Sequence, residues 1–401
     1  MSATLQSPFL LILSRDGREE FVKNELATRF LGAKFAFSRP GFLSFKQADA
    51  VSGGQKNWQW SSSENLIFPL RSALFVGKWL AGKGFTRAAT ISEDALMEAL
   101  TPRVKSAAAP IEAGGSGRTI QLRFHAIDVT PVGRDDGLTR TISRHDFDLR
   151  YPGCLSDSGL AEHLPDAFAE ESWNRPALTG DLILQAFAVS ETEVWFGWSL
   201  LRDGEFGNPG GESGIEKPEG APSRAYLKFS EAVALLERKI GKPIFKADDR
   251  VIEIGSAPGG ACFAMLERGL KVTGVDRGAM DPVVLKNPRF SRIDSSIGDW
   301  MFPESILAEW LVLDINAEAK IAVRECKPLT DYIKRGLKGV FFTLKMNQTD
   351  LALSTERLAR TTAQDLGLAF YFVRQLPSNH QELALFGLTR KGLGLKSVSS
   401  R

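Results

Sequence analysis

The sequence predicts an α/β protein, with a Rossmann-like, doubly wound domain in its C-terminal half preceded by two smaller α+β domains. Three observations predict it. Apolar runs of strand length alternate with helical stretches from Ser223 onward. A glycine-rich turn, Gly255 to Gly260, follows the first of those strands, and an acid, Asp276, closes the second.

The 401 residues exceed one ordinary core, at roughly 100–200 residues per domain. Apolar residues make up 43% and charged residues 24%, a profile that supports a buried core and excludes wholesale disorder. A formal net charge of +2 means that a nucleic-acid partner must be held by a local basic face. Cys154, Cys262 and Cys326 lack CxxC spacing and the four histidines form no HxxxH pair, so a reducing compartment and no metal are expected. The opening segment has no basic stretch before its short apolar run, so neither a signal peptide nor a membrane span is expected, and the protein is expected in the cytoplasm.

In chain order, Phe9 to Leu13 reads as a buried strand, and Phe21, Val22, Leu26 and Phe30 follow with helical spacing. Phe35–Phe37 and Phe42–Phe45 read as strands around a turn at Pro40-Gly41. These elements form the first domain, residues 1–80, which includes a Gly/Ser-rich loop at 49–64. In the second, 81–205, Ile120, Leu122, Phe124 and Ala126 alternate with Gln121, Arg123 and His125, as on a half-buried strand. Leu182–Val189 and Glu193–Leu200 are two more strands around a short turn. The segment 203–222, crowded with Gly, Pro and acids, reads as a linker, and the third domain is 206–401. It opens with a helix at about 229–240, followed by strands at Val251–Ile254, Val272–Val275, Trp310–Leu313, Gly339–Leu344 and Leu383–Leu388.

The stretch Gly255-Ser256-Ala257-Pro258-Gly259-Gly260 lets a ligand approach the backbone, and Asp276 can accept hydrogen bonds from ribose hydroxyls. Both features suit an adenosine-containing cofactor. The turn is not GxGxxG, and no glycine opens the helix to receive a pyrophosphate, which argues against a nicotinamide dinucleotide.

GSAPGG between those strands resembles motif I of the FtsJ-like RNA 2′-O-methyltransferases, which use S-adenosylmethionine. That resemblance implies a Lys-Asp-Lys-Glu tetrad, matched here by Lys228 in PSRAYLK, Asp314 in LVLD, Lys345 in FTLK and Glu382 in HQELAL. It implies cofactor contacts from Gly255, Ser256, Ala257, Pro258, Gly259, Gly260, Asp276 and Asp314, with Asp294 against the adenine. The three-part layout resembles the RlmM-type branch, in which ferredoxin-like and THUMP domains precede the methyltransferase and the target is a cytidine ribose in 23S rRNA. RNA, as 23S rRNA before or during ribosome assembly, is the implied partner, with no membrane and no obligate protein partner. Two positions depart from the pattern: Ala261 stands where the family has an aromatic, and Ala225 where the branch has a small polar residue.

In the implied reaction a ribose oxygen displaces the sulfonium methyl. Lys345 is the expected base and Lys228 the neighbouring cation, with Asp314 and Glu382 orienting the lysines. An RNA-binding or assembly protein without catalysis, and a methyltransferase for another substrate, remain the alternatives. Arg134, Arg140, Arg144 and Arg150 form a basic stretch that could touch phosphates, interrupted by Asp135, Asp136, Asp146 and Asp148, so a solvated loop is equally open.

Overall fold

The computed structural model describes residues 6–47, 58–59, 66–87, 121–130, 140–159, 168–303, 305–346 and 352–395. Ile120, Arg134, Asp135, Asp136 and, apart from Trp58 and Gln59, the loop 49–64 lie outside the described residues. The chain forms two compact units, Met1–Ser213 and Gly214–Arg401.

The first unit runs β1 (Gln6–Ser7), β2 (Phe9–Leu13), α1 (Glu19–Arg29), β3 (Ala33–Arg39), β4 (Phe42–Gln47), β5 (Trp58–Gln59), β6 (Arg71–Leu80) and β7 (Gly84–Arg87). It continues with β8 (Leu122–Asp128), β9 (Arg140–Thr141), α2 (Arg144–Arg150), α3 (Cys154–Asp157), β10 (Leu182–Ser190) and β11 (Glu193–Leu200). Nine strands make one sheet in the order β3-β4-β2-β6-β11-β10-β8-β9, with β7 on β6. The expected divide between residues 80 and 81 falls inside the β6–β7 hairpin, and β6 pairs with β2 on one side and β11 on the other.

Within β8 the apolar positions Phe124 and Ala126 are buried as the alternation requires, but His125 is not on a wet face. It is fully buried, its Nε2 2.8 Å from the carbonyl of Arg175, which lies on a segment that runs alongside β8 with Trp173 bridged in parallel to Phe124. Burial pushes its imidazole down to about 3. Of the basic stretch, Arg140 and Arg150 both pair with Asp128 and Arg144 pairs with Asp148, so these three cations are held within the unit. The segment 203–213 also belongs here: Ala177 donates to the Gly207 carbonyl, and Arg71 donates to the Phe206 carbonyl. Those contacts put the observed boundary a few residues after the expected one.

The second unit contains α4 (Ala225–Ile240), β12 (Arg250–Ile254), α5 (Gly260–Glu267), β13 (Lys271–Val275), α6 (Pro282–Leu285) and β14 (Phe290–Ile293). After them come β15 (Trp310–Leu313), α7 (Ala319–Ile333), β16 (Gly339–Lys345), α8 (Ala352–Asp365), β17 (Leu368–Arg374) and β18 (Glu382–Thr389). The sheet order is β14-β13-β12-β15-β16-β18-β17. All neighbours pair in parallel except β18, which runs antiparallel to both β16 and β17. This is the expected doubly wound α/β fold. The two edge strands, β14 and β17, are the ones the sequence reading does not place.

The helix expected from residue 229 starts at Ala225, so Lys228 lies in its first turn and not ahead of it. Phe229, Val233 and Leu236 give α4 a buried stripe, and Gly241, at φ +74°, ends it in the left-handed region glycine favours. The winding reverses between β12 and β15, which opens a crevice beyond their C-terminal ends, where doubly wound sheets bind ligands. Gly255 leaves β12 and Asp314 leaves β15 at that crevice.

Candidate active site

The structure brings Lys228, Asp314, Lys345 and Glu382 together. Lys228 comes from the first turn of α4, Asp314 from the end of β15, Lys345 from the last position of β16 and Glu382 from the first of β18. Lys228 Nζ donates to Asp314 Oδ2 at 3.2 Å and to Glu382 Oε1 at 3.3 Å. Lys345 Nζ donates to the same Glu382 oxygen at 2.7 Å. Lys345 and Glu382 are also register partners across the β16–β18 ladder. Glu382 therefore bridges both lysines, and its second oxygen accepts from the His380 amide at 2.5 Å. Burial by itself raises this carboxyl, but the Lys228 charge, the Lys345 hydrogen bond and the His380 amide outweigh it and hold it at about 2.

The glycine-rich turn is shaped for close approach. Gly255 has φ +82°, and a Cβ there would strike the Asp314 carbonyl. Gly259 has φ +114°, where a Cβ would come within 2.8 Å of Val284. At Gly260 a Cβ would collide with the Ser223 side chain, so the turn lies directly against the segment leading into α4. The Asp276 carboxylate accepts from Ala257 N at 3.0 Å and Gly278 N at 2.7 Å, which fixes its orientation and leaves lone pairs for a diol. Asp294 follows β14 with its side chain 71% exposed and 3.5 Å from Arg292. Gly255→Ala is expected to weaken cofactor binding by at least about tenfold, because the left-handed turn and the Asp314 carbonyl both oppose a side chain. Isothermal titration with S-adenosylmethionine measures it.

A cleft of about 730 Å³, open to solvent, is lined by all four converging residues together with Gly255, Ser256 and Ala257. Pro258, Gly259, Gly260, Asp276 and Asp294 are not among its lining residues. Sequence reasoning missed Ser223, Arg224, Glu253, Asn316, Ser378 and His380, which also line it. Of these Glu253 carried a signal: a carboxylate in the middle of the apolar run Val251–Ile254. It is buried, and the Cys262 thiol donates to it at 2.7 Å. Burial foremost, with repulsion from Asp314 and Asp276, pushes its carboxyl up to about 8 against the thiol's hydrogen bond, so it is mostly protonated at neutral pH. Among the described residues no His/Cys/Asp/Glu cluster could hold a metal. No described helix is long and apolar enough to cross a membrane.

No family model matches the chain. Ribosomal RNA large subunit methyltransferase M of Thauera aminoaromatica is 29% identical over 236 residues, covering 57% of this chain and 62% of that protein. The protein of the same name from Azoarcus sp. (strain BH72) is 23% identical over 214 residues, 52% of this chain and 57% of its own. That of Halorhodospira halophila reaches 32% over 111 residues, 27% of this chain and 31% of its own. The chain thus spans under two thirds of the length of these relatives. Among solved structures, Aeropyrum pernix fibrillarin aligns with 51% of this chain and 82% of its own at 15% identity, and a TM-score of 0.30 makes that likeness too slight to bear on function. The resemblance read from the motifs is borne out: over about half its length the chain is similar to ribosomal RNA large subunit methyltransferases M.

Proposed function

We propose that the protein transfers a methyl group from S-adenosylmethionine to a ribose 2′-hydroxyl of RNA, with a cytidine of 23S rRNA as the target. One observation carries the reading: two lysines and two carboxylates, far apart in sequence, converge at the mouth of a glycine-rich turn. The names of the curated relatives support ribosomal RNA as the substrate class.

The residues fit the cofactor. Gly255 to Gly260 offer bare backbone, Asp276 is oriented to accept a ribose diol, and Asp314 borders the cleft. Asp294 completes the cofactor set on the adenine side. Bound there, S-adenosylmethionine supplies a methyl group made electrophilic by its sulfonium. The chain's own task is to take the proton from a hydroxyl far too weakly acidic to lose it at neutral pH. Among the described residues Lys228 has two acidic partners and Lys345 one. Lys228 therefore serves as the fixed cation and Lys345 Nζ as the proton acceptor, with Glu382 orienting both.

The first unit, comprising a ferredoxin-like part in 1–80 and a THUMP-like part in 81–205, recognises the RNA before or during ribosome assembly, in the cytoplasm, with no obligate protein partner. The decisive experiment incubates the full chain with S-adenosylmethionine and unmodified rRNA, then digests the RNA to nucleosides for mass spectrometry. A 2′-O-methylcytidine is expected. A methyl group on a base, or none on RNA, would overturn the proposal.

A further inference from the structure

One buried carboxylate near the cleft takes no part in the chemistry proposed above. Glu231 lies on α4 one turn after Lys228 and is only 2% exposed. Its Oε2 accepts from Ser378 N at 3.0 Å and from Ser378 Oγ at 2.7 Å. Ser378, itself buried, sits four residues before Glu382 on the loop leading into β18. That loop is closed on itself. Leu376 N donates to Asn379 Oδ1 at 2.8 Å, Asn379 N donates back to the Leu376 carbonyl at 3.0 Å, and Gln375 Nε2 donates to the His380 carbonyl at 2.9 Å. The His380 amide then binds Glu382, and Glu382 binds Lys228. The bonds make a ring: α4 to the loop through Glu231, the loop to Glu382, and Glu382 back to α4 through Lys228.

A carboxylate is expensive to bury without donors, and a serine contributing both amide and hydroxyl answers that need at one point of the loop. The same two bonds fix the spacing between α4 and the loop. Without them, α4 and the loop lose two of the hydrogen bonds that hold them together beside Lys228 and Glu382.

We propose that Glu231 and Ser378 are positioning residues that hold Lys228 and Glu382 in register, so that Glu382 can orient Lys345. This rests on the methyl-transfer reading. Glu231→Ala is expected to lower the single-turnover rate at saturating RNA and cofactor by about tenfold or more, with both binding constants unchanged within about twofold, because misplacement acts on orientation and not on affinity. Glu231→Gln keeps an oxygen that can accept from both Ser378 donors and is expected to restore the rate to within about threefold. Ser378→Ala, which retains the amide donor, should fall between them. Active-site concentration is set by cofactor titration, so that loss of folded protein is not counted as loss of rate.

Crystal structures of Ser378→Ala and Glu231→Gln give a readout apart from activity. The Lys228 Nζ to Glu382 Oε1 separation, 3.3 Å in the parent, should lengthen beyond hydrogen-bond range in the former and hold in the latter. An unchanged separation in Ser378→Ala overturns the proposal, as does Glu231→Gln being as slow as Glu231→Ala, or Ser378→Ala having the wild-type rate. If Glu231→Ala fails to fold, the other two variants decide. If the wild-type protein methylates no RNA, the methyl-transfer reading falls, and the crystallographic separation still decides whether the pair holds the register.

Discussion

Lys345→Arg is expected to transfer methyl groups no faster than Lys345→Ala, and both to fall below wild type by on the order of 10²–10⁴-fold. Alanine removes the proton acceptor outright. Arginine keeps the charge and can still reach Glu382, but a guanidinium stays protonated at any working pH and accepts nothing. The comparison separates two roles that the geometry alone leaves joined, since Lys345 Nζ is both a donor to Glu382 and a candidate base. S-adenosylmethionine affinity should be nearly unchanged in both variants, because the features proposed to face the adenosine are the turn at Gly255 and Asp276. A single-turnover assay on the RNA substrate checks each point. A Lys345→Arg enzyme near the wild-type rate would reduce Lys345 to an electrostatic positioner.

The second large effect concerns stability. Glu382 is buried, yet its carboxyl is held at about 2 against an ordinary 4.5, first by Lys228 and then by the Lys345 hydrogen bond. That difference corresponds to on the order of 3 kcal/mol at neutral pH. Because the folded-state value is the lower one, the contribution is fully present above about pH 4.5 and is lost as the pH falls from there toward about 2. Glu382→Gln removes the charge between two largely buried ammonium groups. Breaking such a buried pair costs about 3–5 kcal/mol. For a unit of this size the melting temperature should fall on the order of 10 °C at pH 7. The gap between variant and wild type should narrow as the pH is lowered below about 4.5. Calorimetry at a series of pH values measures it, and a variant melting with the wild type at pH 7 would show that the bridge contributes nothing.

What could be read from the letters was whatever the backbone or the chemistry demands locally. Gly255 and Gly259 announce a turn because no other residue takes their conformation cheaply. Asp276, Asp314 and Lys345 stand at the ends of apolar runs, and in a doubly wound sheet the ends of strands are where ligands meet the fold. Lys228 and Glu382 were legible only through motif resemblance, since a lysine on a helix and a glutamate opening a strand are ordinary residues taken singly. The partners of buried polar groups were not legible. Glu231 finds Ser378 across 147 positions of sequence, and nothing in either neighbourhood signals the other. His125 obeyed the period-two pattern and still ended buried, because that pattern cannot say whether a later segment will cover the second face. The sheet that crosses residue 80 was hidden for the same reason: strand partners are chosen in space, and β6 took one from each side of the expected divide.

The antiparallel strand β18 has one more consequence, for inheritance. Lys345 and Glu382 lie 37 positions apart, but their meeting is set by which rung of the ladder each occupies. Descendants of this chain can lengthen or shorten the intervening stretch without disturbing the pair, provided β16 and β18 keep their rungs. A shift of β18 by a single rung would instead turn Glu382 to the opposite face of the sheet. A search for kin by the spacing of the two residues would therefore discard true relatives, whereas a search for a lysine ending one strand opposite a glutamate beginning its antiparallel neighbour would find them.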